Sequence, residues 1–149
     1  MGTGTIVQTV SVKHNFEMAH RLQLPGKCQN VHGHSWICTL EVFGDVQENG
    51  IIIDFHELKN WFKKHLDDNF DHKLYLWGND PWLGQLRDRS KYSGGTELYP
   101  PGLILVHEDP TTENIARRIG TAARMTFGLK YRYRVVLEEG LHNGASWEG

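Results

Sequence analysis

The sequence contains little cysteine and no long apolar stretch. Only two residues are cysteine, Cys28 and Cys38, which is too few for a disulfide framework. No apolar run approaches the ~20 residues that a membrane span needs. The chain also does not open with a basic segment followed by an apolar one, the pattern of a signal peptide. We therefore expect a cytoplasmic protein that does not bind membranes.

An excess of basic residues is also absent. Lys and Arg number 16 and Asp and Glu number 18, so the formal net charge is −2. Proteins that bind nucleic acid through surface charge normally carry a basic excess, and we expect no such partner here. The length of 149 residues predicts one domain, residues 1–149. Histidine, in contrast, is frequent at nine residues, and it is the commonest metal ligand.

The hydrophobic pattern predicts an α+β fold, with helices packed on one face of an antiparallel sheet. Alternating apolar residues indicate strands with one inward face, and apolar residues at helical spacing indicate helices. The predicted strands are residues 6–20, 32–42, 51–53, 103–106 and 131–139. The predicted helices are residues 55–67, capped by Asp54, and a second helix that begins at Pro110–Glu113 and ends at Gly128.

An irregular insert is expected at roughly residues 78–106. It is rich in Gly, Pro, Asp and Ser, and a short helical turn is predicted near Trp82–Arg87. Loops of this length inside a compact domain are usually functional or disordered. Its most distinctive segments are Trp77–Trp82 and Gly94-Gly95-Thr96.

Three histidines stand at predicted strand ends. His32 and His34 flank a glycine and point to the same face, because residues i and i+2 of a strand do so. His20 ends the preceding strand on its inward face. Three imidazoles with an open fourth position are typical of catalytic zinc, whereas core histidines bonded to backbone carbonyls are the alternative. Cys28 is either a fourth ligand or a reactive thiol beside the metal.

Two further positions are candidates for chemistry. Asp71-His72 follows the first helix, and a carboxylate that orients a histidine is the usual acid–base arrangement, although a solvated turn has the same composition. Glu139 ends the inward face of the last strand, where an unpaired carboxylate is costly. It is able to accept a pair of N–H donors from a guanine-like ring.

Together these motifs resemble one enzyme family. They are Phe16–His20, Cys28–His34, Asp54–Lys59, Asp71-His72, Pro110–Asn114 and Glu139, in that order. From about residue 5 to the C-terminus, the chain resembles the 6-pyruvoyl- and 6-carboxy-tetrahydropterin synthases. The resemblance implies the tunnelling fold, with two helices and a four-stranded antiparallel sheet in each subunit. It also implies a homohexamer of two trimers, with active sites shared between subunits.

The resemblance gives each matching residue a role. His20, His32 and His34 match the zinc ligands, and Cys28, Asp71 and His72 match the catalytic residues, so Cys28 is expected as a base rather than a ligand. Glu139 matches the carboxylate that anchors the pterin ring. The turn of Thr111, Thr112 and Glu113 matches the backbone that lines the pterin pocket. Arg21 and Lys27 are candidate contacts for a triphosphate.

The gap of three residues between Cys28 and His32 is similar to that of the bacterial carboxy-forming branch. This branch implies a zinc-dependent lyase that converts 7,8-dihydroneopterin triphosphate to 6-carboxy-5,6,7,8-tetrahydropterin, acetaldehyde and triphosphate, in 7-deazaguanine (queuosine-type) biosynthesis. The alternatives are a 6-pyruvoyl-tetrahydropterin synthase or a related pterin-converting branch and, outside the enzymes, a zinc-stabilised pterin-binding module.

Overall fold

The computed structural model describes residues 7–87 and 99–149. The elements are β1 Thr9–His20, β2 His32–Phe43, α1 Phe55–Asn69, β3 Lys73–Trp77, α2 Leu83–Arg87, β4 Leu103–Val106, α3 Thr112–Phe127, β5 Arg132–Glu139 and β6 Gly144–Glu148. A single 3-10 turn, Lys27–Gln29, lies between β1 and β2. The segment Gly94-Gly95-Thr96 falls outside the described residues.

The six described strands form one sheet in the order β4-β3-β1-β2-β5-β6. Strands β1, β2, β5 and β6 pair antiparallel, which confirms the predicted α+β class with a four-stranded antiparallel core. The sheet is larger than predicted, because β3 and β4 extend it by parallel pairing at the β1 edge. Strand β3 directly precedes the insert and β4 is its last segment, so the insert enlarges the sheet as well as the loops.

The core lies between the sheet and the two long helices. Inward-facing residues alternate along β1 and β2, as the period of two requires. Helix α1 buries Leu58, Phe62 and Leu66 against this face, and α3 buries Ile115, Ile119 and Ala123. The spacing of three and four residues gives each helix one apolar stripe. The other face of the sheet carries no described long helix.

Side-chain caps fix where the helices begin. The carboxylate of Asp54 accepts the backbone N–H groups of His56 and Glu57, and Thr111 Oγ1 accepts that of Asn114. Such caps satisfy donors that have no partner inside the helix. Helix α3 ends at Gly128, which has a φ of 92°. These boundaries match the predicted ones, apart from two further residues at the end of α1.

Three local predictions differ from the structure. Residues 51–53 do not form a strand: Ile52 and Ile53 are buried, but the chain here closes a turn in which Gln47 N–H donates to Ile51 O. Strands β3 and β6 were not expected from the hydrophobic pattern. Strand β6 alternates only between exposed and half-buried residues, so its sequence has no strong apolar side, and pairing with β5 specifies it.

One glycine permits a close contact between layers. A Cβ atom on Gly120 of α3 would lie 2.1 Å from Cε3 of Trp147 in β6, so the indole packs directly on the helix backbone. No helix in the described ranges is long and apolar enough to cross a membrane.

Candidate functional site

The strand pairing brings the three predicted metal ligands together. His20, the last residue of β1, lies opposite His32, the first residue of β2, in the antiparallel register. His34 follows two residues later on the same face. One ring nitrogen from each histidine lies within 4.8 Å of the other two. Among the histidine, cysteine and acidic side chains of the described residues, these three histidines have the spacing of a metal site.

The hydrogen bonds of the rings indicate which nitrogens are free. His20 Nδ1 lies 2.8 Å from Pro110 O, and His32 Nδ1 lies 2.8 Å from Asn30 O. A carbonyl only accepts, so each Nδ1 carries the proton and each neutral ring presents a lone pair on Nε2. These two Nε2 atoms are only 3.1 Å apart. Two facing lone pairs repel each other unless a cation lies between them.

His34 supplies the third nitrogen that is able to bind a metal. Its Nε2 is buried and has no hydrogen-bond partner in the described structure, although buried polar atoms normally have one. The three Nε2 atoms therefore fit a metal ion bound by three imidazoles, with backbone carbonyls holding two of the rings from behind. Imidazole ligands suit zinc, and three of them leave a fourth position open for chemistry.

Burial keeps two of the ligands, His20 and His34, ready to bind a metal at neutral pH. Burial lowers the pKa of His20, and the neighbouring rings of His32 and His34 lower it further, against the opposing effects of the Pro110 carbonyl and Glu139. Burial also lowers the pKa of His34. A neutral imidazole is the form that binds metals, so His20 and His34 do not need to lose protons near pH 7.

Glu139 lies at the same end of the sheet. It is the last residue of β5 and pairs with Trp36 of β2, two residues beyond His34. Its Oε2 lies 3.3 Å from His34 Nε2 and 3.9 Å from His20 Nε2. The neighbouring Glu138 instead lies beside Gly144 of β6. The strand alternation therefore places Glu139, and not Glu138, beside the histidines.

The turn that begins α3 borders the histidine group. Pro110 is the residue whose carbonyl accepts from His20 Nδ1, and Thr111 caps the helix that follows. Thr112 is buried and Glu113 is exposed. The predicted pterin-pocket residues thus lie next to the candidate metal site, although they are about 90 residues away in sequence.

Cys28 lies in the short 3-10 turn between β1 and β2, and its side chain is half-buried. Its carbonyl accepts the N–H of Leu22, which closes the loop. The sulfur does not belong to the metal group found among the described residues. The other cysteine, Cys38, is buried in the core, and burial raises the pKa of its thiol. Of the two cysteines, Cys28 is the accessible one.

Asp71 and His72 form a dyad at the junction of α1 and β3. Asp71 Oδ1 accepts the backbone N–H of Glu17 at 2.9 Å, and Oδ2 lies 2.7 Å from His72 Nδ1. The Glu17 N–H is the main reason that the pKa of Asp71 is lowered, with a further contribution from His72. His72 has a φ of 57°, a strained backbone conformation for a residue with a Cβ. Its N–H donates to Glu17 O.

The dyad and the histidine group share a cleft but not a hydrogen bond. His34 and His72 both line a cavity of about 520 Å³ at the β1–β3 side of the sheet, and Cys28 is not among its described lining residues. In the described structure no hydrogen bond joins Cys28 to Asp71 or His72. The His72 side chain is 80% exposed. One chain thus presents the catalytic candidates at separate places.

Asp80, a fully buried carboxylate near Arg21, lies in the segment Trp77–Trp82, but no role was predicted for it. Arg21 Nη1 lies 2.6 and 2.7 Å from its two oxygens, and Gln23 Nε2 and Trp82 N–H also donate to it. The Arg21 guanidinium lies over the Trp82 ring. Arg21 was a candidate triphosphate contact, but its Nη1 is occupied by Asp80. The pair instead ties the chain after His20 to the start of the insert.

Comparison with known proteins gives one consistent result. The family model described as 6-pyruvoyl tetrahydropterin synthase matches residues 9–149. A 6-carboxy-5,6,7,8-tetrahydropterin synthase of Rickettsia conorii is 32% identical over 106 residues, 70% of this chain and 71% of that protein. The enzyme of the same name from Haemophilus influenzae is 41% identical over 42% of this chain and 48% of its own.

Solved structures share the fold at lower identity. An uncharacterised protein from Wolinella succinogenes superposes with a TM-score of 0.81 at 20% identity and covers 96% of this chain and 98% of its own. The 6-pyruvoyl tetrahydropterin synthase of Plasmodium vivax has a TM-score of 0.73 at 19% identity, and covers 97% and 98%. These likenesses identify the fold as that of the synthases.

Proposed function

This chain belongs to the 6-pyruvoyl tetrahydropterin synthase family, and we propose that it is a zinc-dependent 6-carboxy-5,6,7,8-tetrahydropterin synthase. Its substrate is 7,8-dihydroneopterin triphosphate, and its products are 6-carboxy-5,6,7,8-tetrahydropterin, acetaldehyde and triphosphate. The proposal includes a cytoplasmic role in 7-deazaguanine (queuosine-type) biosynthesis. The observation that carries it is the convergence of three histidine Nε2 atoms and Glu139 at one end of the sheet.

The proposed ligands are His20, His32 and His34, which would hold zinc. Bound there, it would supply Lewis-acid polarisation of the hydroxyl groups of the substrate side chain. Glu139 accepts a pair of N–H donors from the pterin ring, which fixes the ring by a charge-assisted, two-point contact. The backbone of Thr111, Thr112 and Glu113 lines the same pocket.

The proton transfers are assigned to Cys28 and His72. The Cys28 thiolate removes a carbon-bound proton of the side chain, which the conjugated ring makes acidic. His72 exchanges protons with the substrate oxygens. Asp71 Oδ2 lies 2.7 Å from His72 Nδ1, so Nε2 is the His72 nitrogen that is left for the substrate. Glu17 supports this orientation, because its N–H donates to the Asp71 carboxylate and its C=O accepts the backbone N–H of His72.

We further propose that each active site is shared between subunits of a homohexamer, a dimer of trimers. The support is the exposure of His72 and its lack of any hydrogen bond to Cys28 within the described chain. A histidine that Asp71 orients and that is largely exposed suits a substrate that a neighbouring subunit also holds.

A second candidate function is triphosphate elimination to a 6-pyruvoyl pterin. It is favoured by the names of some structural relatives, such as that of Plasmodium vivax at 19% identity. The carboxy-forming function has the stronger support, because the relatives that are 32–34% identical over about 70% of the chain carry that name.

The test is one incubation of zinc-loaded protein with 7,8-dihydroneopterin triphosphate, with products identified by mass spectrometry. Formation of 6-carboxytetrahydropterin and acetaldehyde supports the proposal. The Cys28→Ala variant should lose this activity, whereas Cys38→Ala, the matched change at the other cysteine, should keep it if folding is intact. A pyruvoyl pterin assigns the chain to the second function. Zinc and pterin binding without turnover by the wild-type protein makes the chain a binding module.

A further inference from the structure

The contact between Glu139 and His34 is close but is not a hydrogen bond. The two atoms Oε2 and Nε2 are 3.3 Å apart, yet Nε2 has no hydrogen-bond partner in the described structure. The carboxylate oxygen therefore does not lie along the direction in which the ring nitrogen bonds. The two atoms lie side by side without bonding to each other, as two ligands of one ion do.

The separations agree with this interpretation. In a tetrahedral zinc site with bonds of about 2.0–2.1 Å, neighbouring ligand atoms lie about 3.3 Å apart. The Nε2 atoms of His20 and His32 are 3.1 Å apart, and Glu139 Oε2 is 3.3 Å from that of His34 and 3.9 Å from that of His20. Glu139 thus stands at ligand distance from two of the three histidines, His34 and His20, although the group whose ligand atoms all lie within 4.8 Å of one another comprises the three histidines alone.

Among the described residues, the charge of Glu139 also has no Lys or Arg partner. Its side chain is only 22% exposed, and among the described residues its ion-pair contacts are His20 and His34, with neither Lys nor Arg. Both histidines are neutral when they bind a metal, so they do not balance the carboxylate. A partly buried carboxylate without a cation is costly, and a metal ion between the histidines removes this cost.

We propose that Glu139 exchanges partners during binding: it is the fourth ligand of the metal in the ligand-free protein and passes to the ring N–H groups when a pterin binds. This inference rests on the proposed function. In the exchange one carboxylate oxygen–metal bond breaks, and a side-chain oxygen of the substrate takes the vacated position. No electrons are transferred. The Glu139 carboxylate therefore occupies the fourth coordination position of the metal until a pterin ring binds.

The first test measures zinc affinity without any pterin, by competition with a chelating dye. Glu139→Gln keeps the shape of the side chain but removes the charge, and we expect zinc affinity to fall about tenfold or more, the range seen when the partners of a metal site are lost. Glu138→Gln, the adjacent residue beside β6, should bind zinc as the wild type does. Equal zinc affinity in the two variants overturns the proposal.

The second test uses unsubstituted pterin, which offers the ring N–H groups but no side-chain hydroxyl. If Glu139 leaves the metal for the ring, saturating pterin lowers the zinc affinity of the wild-type protein toward that of Glu139→Gln. By linkage zinc weakens pterin binding by the same factor. Glu139→Gln should show no such coupling. Independent binding of zinc and pterin to the wild type contradicts the exchange.

The two tests separate this inference from the function on which it rests. Wild-type protein that binds neither zinc nor pterin contradicts the proposed function itself. Wild-type protein that binds both, with a Glu139→Gln variant of unchanged zinc affinity, contradicts only the exchange and leaves Glu139 as a fixed ring anchor.

Discussion

The histidine group and the Asp71–His72 dyad are built in opposite ways. His20 is completely buried, and its ring is held by a backbone carbonyl from a distant turn. The His72 side chain is 80% exposed and is held only by its neighbour Asp71 and by a strained backbone. In the histidine group, one chain supplies three nitrogen atoms that are able to bind a metal. In the dyad, the His72 side chain is exposed to solvent. Burial thus distinguishes the ligand group that this chain assembles by itself from a side chain that it leaves exposed.

The largest effect is expected from removing a metal ligand. His34→Ala should lower zinc affinity by more than about 100-fold, because even outer partners of a metal site are worth about 10–100-fold, and lyase activity should fall with it. His14→Ala is the control, since His14 lies on β1 and contacts Asp67 of α1. Zinc titration and product formation are measured for both variants. A His34→Ala variant that keeps full zinc affinity would contradict the assignment of the histidine group as the metal site.

In the Asp71–His72 dyad, His72→Ala should lower activity by about 10²–10⁴-fold, the usual contribution of an acid–base residue. Stability should change by no more than about 0.5 kcal/mol, because exposed side chains contribute little. His56→Ala, an exposed histidine of α1, should leave both quantities unchanged. Activity is followed by product formation and stability by urea unfolding.

Complementation sharpens the same comparison. When Cys28→Ala and His72→Ala chains are assembled together, a site shared between subunits regains up to about a quarter of wild-type activity, as random association in a symmetric oligomer predicts. If each chain contains a whole site, the mixture stays inactive.

Asp80 and Asp68 compare a buried with an exposed carboxylate. Asp80→Ala leaves the Arg21 guanidinium without its partner, and loss of one member of a buried ion pair costs about 3–5 kcal/mol. Asp68 pairs with Lys64 on the surface of α1, and Asp68→Ala should cost at most about 0.5 kcal/mol. Urea unfolding measures both. Equal losses would show that the buried pair has no special part in joining the insert to β1.

The smallest effect is a pH dependence of the metal-free protein. Burial lowers the pKa values of His20, His34 and His65 in the folded state, so the unfolded chain takes up protons first, near its pKa of about 6.5. Stability is therefore full above this pH and falls as the pH drops below it.

Zinc separates the contributions of these histidines. Bound zinc should raise stability at neutral pH and make it fall more steeply on acidification, because protons compete with the metal. His65 lies against Trp61 of α1, away from the metal, so His65→Gln should weaken the pH dependence of the metal-free protein without changing zinc affinity. Urea unfolding from pH 8 to 5 checks this. A lower zinc affinity in His65→Gln would contradict the assignment.

Local patterns determined much of this molecule. The alternation in β1 and β2 predicts their inward faces, and the His-x-His spacing predicts two donors on one side. Asp54, Thr111 and Gly128 mark helix boundaries through short-range hydrogen bonds and backbone preference, which depend only on neighbouring residues. Six ordered motifs were enough to indicate the family.

Tertiary structure decided the rest. The short strands β3 and β6 form because longer strands offer them open edges. The residues of β6 carry a weak apolar pattern, and those of β3 are largely apolar but do not alternate between buried and exposed. Asp80 meets Arg21 across 59 positions of chain, and Glu139 meets His34 only through the register of β5 on β2. Contacts of this kind depend on how strands pair, and a sequence pattern that repeats every two or four residues does not encode which partners will meet.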